Sequence, residues 1–279
     1  MEKITFYATD INGEMKMSDY LKRRLGFSSA LITKVKFGGV YKNGDVVTMR
    51  ASVKNTDEIT IYFPEEKSEA IPPIDILLNI IYEDSHILVV DKPADMPTHP
   101  SRGNSLPTLA NAVSAYMGEG FVFRAINRLD RGTSGIVLIA KNPYSAAILG
   151  KAMKEHKIKK TYSALVTGVP SPSEGRINMP IARENEDSLL RVVREDGKEA
   201  ITDYRVVKVL PDGNSVCRIK LHTGRTHQIR VHFAHIGHPL VNDFLYGERG
   251  DCGYSLRCIE ITLPHPTLGE VTLSAKELF

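Results

Sequence analysis

An α+β fold is predicted for the larger part of this chain: a mixed, largely antiparallel sheet with flanking helices, preceded by a small α/β body. Three observations carry the prediction. Strand-like and helical runs follow one another without regular alternation, which disfavours a doubly wound parallel sheet. No dinucleotide or Walker glycine motif is present. A polar, proline-punctuated stretch over residues 64–73 reads as a connector, so the chain divides near residue 70 into segments 1–70 and 71–279.

In the first segment the patterns predict helices over 18–25 and 28–36, then a hairpin-type turn within 38–44 between short strands. Residues 59–63 alternate in polarity and read as a closing strand. In the second segment 87–90 reads as a strand, 106–116 as a helix, and the apolar run 135–140 as a buried strand. Pro143 opens a helix reaching about residue 155, because its missing donor costs little in the first turn. Further strands are expected at 161–167, 216–221, 255–263 and 271–274.

A chain of 279 residues with 42% apolar content can bury two cores, and no apolar run of about 20 residues is available to span a bilayer. Residues 1–10 mix charge into their apolar positions and lack a signal-peptide core, so a cytoplasmic location is expected, with no membrane partner. Cys217, Cys252 and Cys258 are odd in number and lack metal-type or disulfide-framework spacing; they are expected to be reduced and mostly buried. A net charge of +3 is too small to argue for nucleic acid. Its distribution says more. Between residues 124 and 160 nine basic residues stand against two acidic ones, which suits a passing phosphate backbone.

The run Asn127, Arg128, Leu129, Asp130, Arg131, Gly132, Thr133, Ser134, Gly135 places one carboxylate between two guanidinium groups, directly ahead of the buried-strand run. Flanking positive charge suits a carboxylate, and the small residues after it let another backbone or a ligand approach closely. Asp130 is therefore a candidate nucleophile or base beside an anionic substrate; an ion pair in a polar turn is the alternative reading of this segment alone.

Five of the nine histidines fall between His222 and His238. Metal is discounted, since no HExxH or CxxC arrangement accompanies them. A strand ending near His222, a turn at Thr223 and Gly224, and a helix opening near Thr226 give first-turn amides that face an anion together with Arg225. Ile229, Phe233 and Ile236 share one face of that helix, and His232 and His235 read as structural.

The run NRLDRGTSGIVLIAK, the later KKTYSALVTG and LHTGRTHQIRVHFAHIGHPLVNDFLYG, and the upstream IIYEDSHILVVDKPADMPTHPS, in that order, resemble the signature segments of the RluA-type pseudouridine synthase family. Two departures bear on the pocket rim: Asn127 stands where many members have His, and Asp95 where a Gly is common. The resemblance implies an isomerase that detaches uracil from its ribose, turns it and rejoins it through carbon 5, with no cofactor and no metal. It makes Asp130 the essential carboxylate, acting on the sugar, on the base or through a glycal intermediate. The uridine must leave its stack, with Arg128 filling the gap and Tyr162 stacking on the base and serving as a general base. Arg225 would pair with Asp130, and Asn127, Arg131 and Thr133 would line the substrate. Read without the resemblance, Tyr162 is a strand aromatic of core type, and Lys92 could contact phosphate or mark an exposed strand end. The first segment resembles the small RNA-binding domain named after ribosomal protein S-four, with Lys22, Arg23, Arg24, Lys34 and Lys36 as its RNA-facing patch. Ribosomal RNA is favoured over transfer RNA as partner, and a monomer is the default. Two competing classes are a noncatalytic RNA-binding or assembly factor on the same fold, and a hydrolase with Asp243 as second carboxylate.

Overall fold

In the computed structural model, residues 2–65, 71–100, 107–188, 190–247 and 254–277 are described. The first of these stretches forms β1 (Lys3–Tyr7), β2 (Met15–Lys16), α1 (Met17–Asp19) continued by a π-helical turn (Tyr20–Arg24), α2 (Ser29–Val35), β3 (Val40–Lys42), β4 (Asp45–Val46), β5 (Ser52–Val53) and β6 (Glu58–Tyr62). Ser28 starts α2 by accepting a hydrogen bond from the Leu31 amide. Asn43 and Gly44 both take positive φ, the requirement for the tight turn that joins β3 to β4. The sheet order is β1-β6-β3-β4, antiparallel throughout. β1 adds a strand that the sequence reading did not name, although Ile4 and Phe6 point inward and Lys3, Thr5 and Tyr7 outward, a plain period of two. The core beneath it joins Met17, Leu21, Phe27, Val35 and Phe63, and is completed by Tyr144 from far along the chain.

The remaining elements are β7 (Ile80–Glu83), β8 (Ile87–Lys92), α3 (Leu109–Met117), β9 (Ser134–Ala140), α4 (Pro143–Lys154), β10 (Lys159–Val166), β11 (Glu174–Asn178), β12 (Ile181–Arg183), β13 (Arg191–Val193), β14 (Ile201–Val209), β15 (Ser215–Leu221), α5 (Gln228–His235), β16 (Leu256–His265) and β17 (Gly269–Ser274). Among the described residues nine of the strands form one sheet, ordered β11-β14-β15-β10-β16-β9-β8-β7, with β17 added to β16. Its pairs are antiparallel except β16 with β9, so the expected mixed, largely antiparallel α+β architecture is the observed one. Every residue of β9 is buried, as expected for a run covered on both faces. Asn142 caps α4 through the Ser145 amide and Pro143 occupies its first turn, while Thr108 and Asn111 cap α3 reciprocally.

α5 begins at Gln228, two residues later than the sequence suggests, because His227 adopts a left-handed conformation that interrupts the helical path. Ile229 and Phe233 are buried as expected, and His232 is held between Thr202 and the Met179 carbonyl; His235 is exposed. Cys217 and Cys258 are free and buried. The expected boundary near residue 70, the start of the predicted helix at Leu106, and Cys252 lie outside the described residues.

Candidate active site

Asp130 lies on the loop that feeds β9, and that loop is fastened from below. Asn127 donates its amide to the Ile136 carbonyl at 3.0 Å and accepts from the Leu138 amide at 2.8 Å, stapling the loop to the strand it leads into. The Thr98 hydroxyl donates to the Leu129 carbonyl at 2.8 Å. Lys92, opposite Gly135 where β8 pairs with β9, is fully buried, and its ammonium donates to the carbonyls of Pro93, Met96 and Arg131 at 2.8, 2.7 and 3.2 Å. Burial pushes the Lys92 amine down to about 8. The peptide carbonyls on both sides of Asp130 are thus held by buried donors, while its own side chain keeps 40% exposure. Lys92 is neither an exposed strand end nor a phosphate contact; it is an internal peg for this loop.

The small residues after Asp130 do what their size allows. A Cβ on Gly132 would stand 2.8 Å from the Tyr254 ring, and one on Gly135, at φ +105°, would overlap the Cys258 backbone at 2.1 Å. Tyr254 and β16 therefore press directly against the loop. Tyr162, on β10, faces Cys258 in register and is buried; burial raises its hydroxyl well above the ordinary range, with Cys258 and Asp130 adding to the effect. Tyr254 is likewise pushed up to about 12, first by burial, with Asp130 adding; its hydroxyl lies 3.3 Å from Thr133 Oγ1. The carboxylate thus stands beside two neutral phenols. His227 closes another side: its Nε2 is 4.0 Å from Asp130, its Nδ1 is 2.8 Å from the Tyr246 hydroxyl, and burial lowers its pKa, with Arg230 and Arg191 adding and Asp130 opposing.

The predicted Arg225–Asp130 pair is not formed. Arg225 Nε donates to the Glu199 carbonyl at 2.8 Å, and its backbone amide donates to Gln228 Oε1. With α5 starting at Gln228, Arg225, three residues ahead of it, is turned onto the β13–β14 connection instead of the site. The buried guanidinium here is Arg230, 2% exposed, bidentate to Asp243 at 2.7 and 2.6 Å and 4.1 Å over the Tyr254 ring. Asp243, fully buried, also accepts from the Leu245 and Tyr246 amides. Sequence reasoning missed Arg230, His227 and Tyr254; an arginine set between Ile229 and Val231 on a buried helix was the available signal for the first.

The expected substrate-lining set divides. Asn127 and Thr133 are buried, with their polar atoms spent on the protein, so they shape the loop and do not face solvent. Arg128 and Arg131 are exposed; Arg131 donates to the Asp95 carbonyl, and Asp95 sits at φ +61°, which explains why glycine suits that position. Among the described residues no three His, Cys, Asp or Glu side chains converge as metal ligands, and no helix is long and apolar enough to cross a membrane.

This arrangement, an open carboxylate on a pinned loop above a sheet, coincides with a family match. Residues 86–235 match the model of a family described as RNA pseudouridylate synthase. The chain is 38% identical over 254 residues to the "Uncharacterized RNA pseudouridine synthase YjbO" of Bacillus subtilis (strain 168), covering 88% of this chain and 89% of that one. It is 38% identical over 225 residues to the "Ribosomal large subunit pseudouridine synthase D" of Pasteurella multocida, covering 79% and 69% respectively. Among solved structures it is similar to "Human RNA Pseudouridylate Synthase Domain Containing 1", with a TM-score of 0.63 and 27% identity over 77% of this chain and 87% of that one. The chain belongs to the RNA pseudouridylate synthase family, and its activity class is that of an isomerase acting on RNA.

Proposed function

We propose that the chain isomerises specific uridines in structured ribosomal RNA, with Asp130 as the essential carboxylate. The observation that carries this reading is the state of Asp130: both neighbouring carbonyls are held by buried donors, yet the carboxylate itself is open. In the reaction the bond from N1 to the ribose breaks, the uracil turns, a bond from carbon 5 forms, and the carbon 5 proton leaves as N1 gains one. Asp130 acts at the sugar or the ring as nucleophile, or promotes a glycal. No outside reagent, metal or cofactor enters that balance. The target base is flipped from its stack into the pocket, and the exposed Arg128 fills the gap it leaves. Tyr162 is the floor on which the base packs; burial keeps its phenol neutral, which suits stacking better than general-base work. Arg230, tied to Asp243 and capped by Tyr254, is the buried cation that fixes the Tyr254 wall of the pocket; it holds Asp243 and does not take up the pairing with Asp130 expected of Arg225.

Ribosomal RNA is preferred over transfer RNA because relatives named as ribosomal large subunit synthases, from Pasteurella multocida and Zymomonas mobilis, are 38% and 37% identical to this chain. In this reading residues 1–70 form an RNA-binding domain and 71–279 the catalytic domain, in a cytoplasmic monomer. The test is to incubate the pure protein with cellular RNA from a strain lacking it and map pseudouridine, with Asp130→Asn alongside. Discrete new sites with the native protein alone are expected. RNA binding without any new pseudouridine would overturn the synthase reading and leave an RNA-binding protein on this fold.

A further inference from the structure

Phe37, 85% exposed, is more exposed than any other Phe or Tyr among the described residues. It follows α2 and is held off the body by two glycines. Gly38 takes φ +74°, and a Cβ on Gly39 would lie 2.7 Å from the Tyr62 carbonyl and 2.9 Å from that of Val35. The Lys36 ammonium stands 4.6 Å from the ring centroid, covering one face and leaving the other open. Residues 16–42 carry seven basic side chains against a single acidic one, Asp19.

A lone exposed hydrophobe ordinarily needs no explanation. Here the glycine turn fixes its projection, and the Lys36 ammonium lies against one face of the ring. A protein-docking patch joins several apolar side chains and is poor in charge at its centre. A single exposed ring with a cation beside it is instead the arrangement that grips unpaired nucleic acid, the base stacking on the open face while the cation meets phosphate. We propose that Phe37 is a stacking platform for an unpaired base of the RNA substrate, flanked by Lys36. The proposal rests on the RNA-modifying reading and adds a contact outside the Asp130 loop.

Because the chain has no tryptophan, Phe37→Trp in the full-length protein makes that position the sole indole emitter. Titration with transcribed large-subunit ribosomal RNA is expected to quench it, while inorganic polyphosphate, an anion without bases, leaves it unquenched. Phe37→Ala is expected to weaken binding to the same RNA about 5- to 100-fold with an unchanged salt slope. Lys36→Gln lowers that slope by about one. Equal quenching by RNA and polyphosphate, or Phe37→Ala binding as tightly as the native chain, overturns the proposal; so does a variant that loses a protein partner and keeps its RNA affinity. If the native protein binds and modifies RNA while Phe37→Ala is indistinguishable from it, only this contact fails. If the native protein does neither, the synthase reading fails as well.

Discussion

Two loops of this molecule are each built on a buried cation, and they treat their aspartates in opposite ways. In the loop before β9 the cation is Lys92, which is spent on three backbone carbonyls and leaves Asp130 40% exposed. In the loop after α5 the cation is Arg230, which consumes Asp243 in a bidentate pair with no exposure at all. Holding a loop by its carbonyls frees its carboxylate for chemistry; holding it by its carboxylate removes that group from chemistry. This contrast also argues against Asp243 as the second carboxylate of a hydrolase.

The largest expected effect comes from removing the free carboxylate. Asp130→Asn should lower turnover at least about 1000-fold while RNA affinity stays within about threefold, as for a group acting mainly in the transition state. A comparable loss of affinity would erase the distinction between the two loops. Next is the buried pair. Asp243→Asn or Arg230→Met leaves one partner alone in the interior, and chemical denaturation should report a loss of about 3–5 kcal/mol; the double variant Arg230→Met with Asp243→Leu should recover much of it.

Lys92→Met is expected to cost about 1–3 kcal/mol through unsatisfied carbonyls, and to lower turnover more than RNA affinity because the Asp130 loop loosens. Its pH dependence sharpens the comparison. The folded value of about 8 lies below the ordinary lysine value of about 10.4, so between them the unfolded chain holds the proton more strongly. The burial penalty is full below about pH 8 and fades as pH rises toward about 10.4. The native protein should therefore gain stability relative to Lys92→Met across that window; a flat difference would mean that the ammonium is not desolvated. The smallest effect belongs to Arg225. Its bond to the Glu199 carbonyl predicts that Arg225→Ala loses about 0.5–1.5 kcal/mol of stability, with turnover within about threefold. A large loss of turnover would restore Arg225 to the site.

The parts of the fold with a strong local signal were readable: the apolar run that makes up most of β9, the proline-opened α4, the hairpin turn at Asn43 and Gly44. Strands β11 and β14 were not, for different reasons. β11 buries a single large side chain, Ile177, and so has almost no pattern. β14 alternates Thr202 and Tyr204 inward with Asp203 and Arg205 outward, a period that charged residues disguise. In the site, Asp130 stood out by residue type, a carboxylate between two arginines ahead of a buried strand, whereas Tyr162 by itself read as a core aromatic and drew its role only from the resemblance. The choice between Arg225 and Arg230 could not be made that way. Both lie within six residues of one another, and what separates them is the left-handed His227 between, a conformation that residue type alone does not announce.

Tyr144 of α4 touches the rings of Phe6 and Phe27 and is 2% exposed, so the helix after β9 supplies a wall of the N-terminal core. Removing residues 1–65 would strip that cover and leave Tyr144 and the neighbouring Ile148 facing water, an invitation to aggregation. A truncated protein that fails to modify RNA would then say nothing about whether the missing segment touched RNA. Only single changes on its outer surface can answer that question.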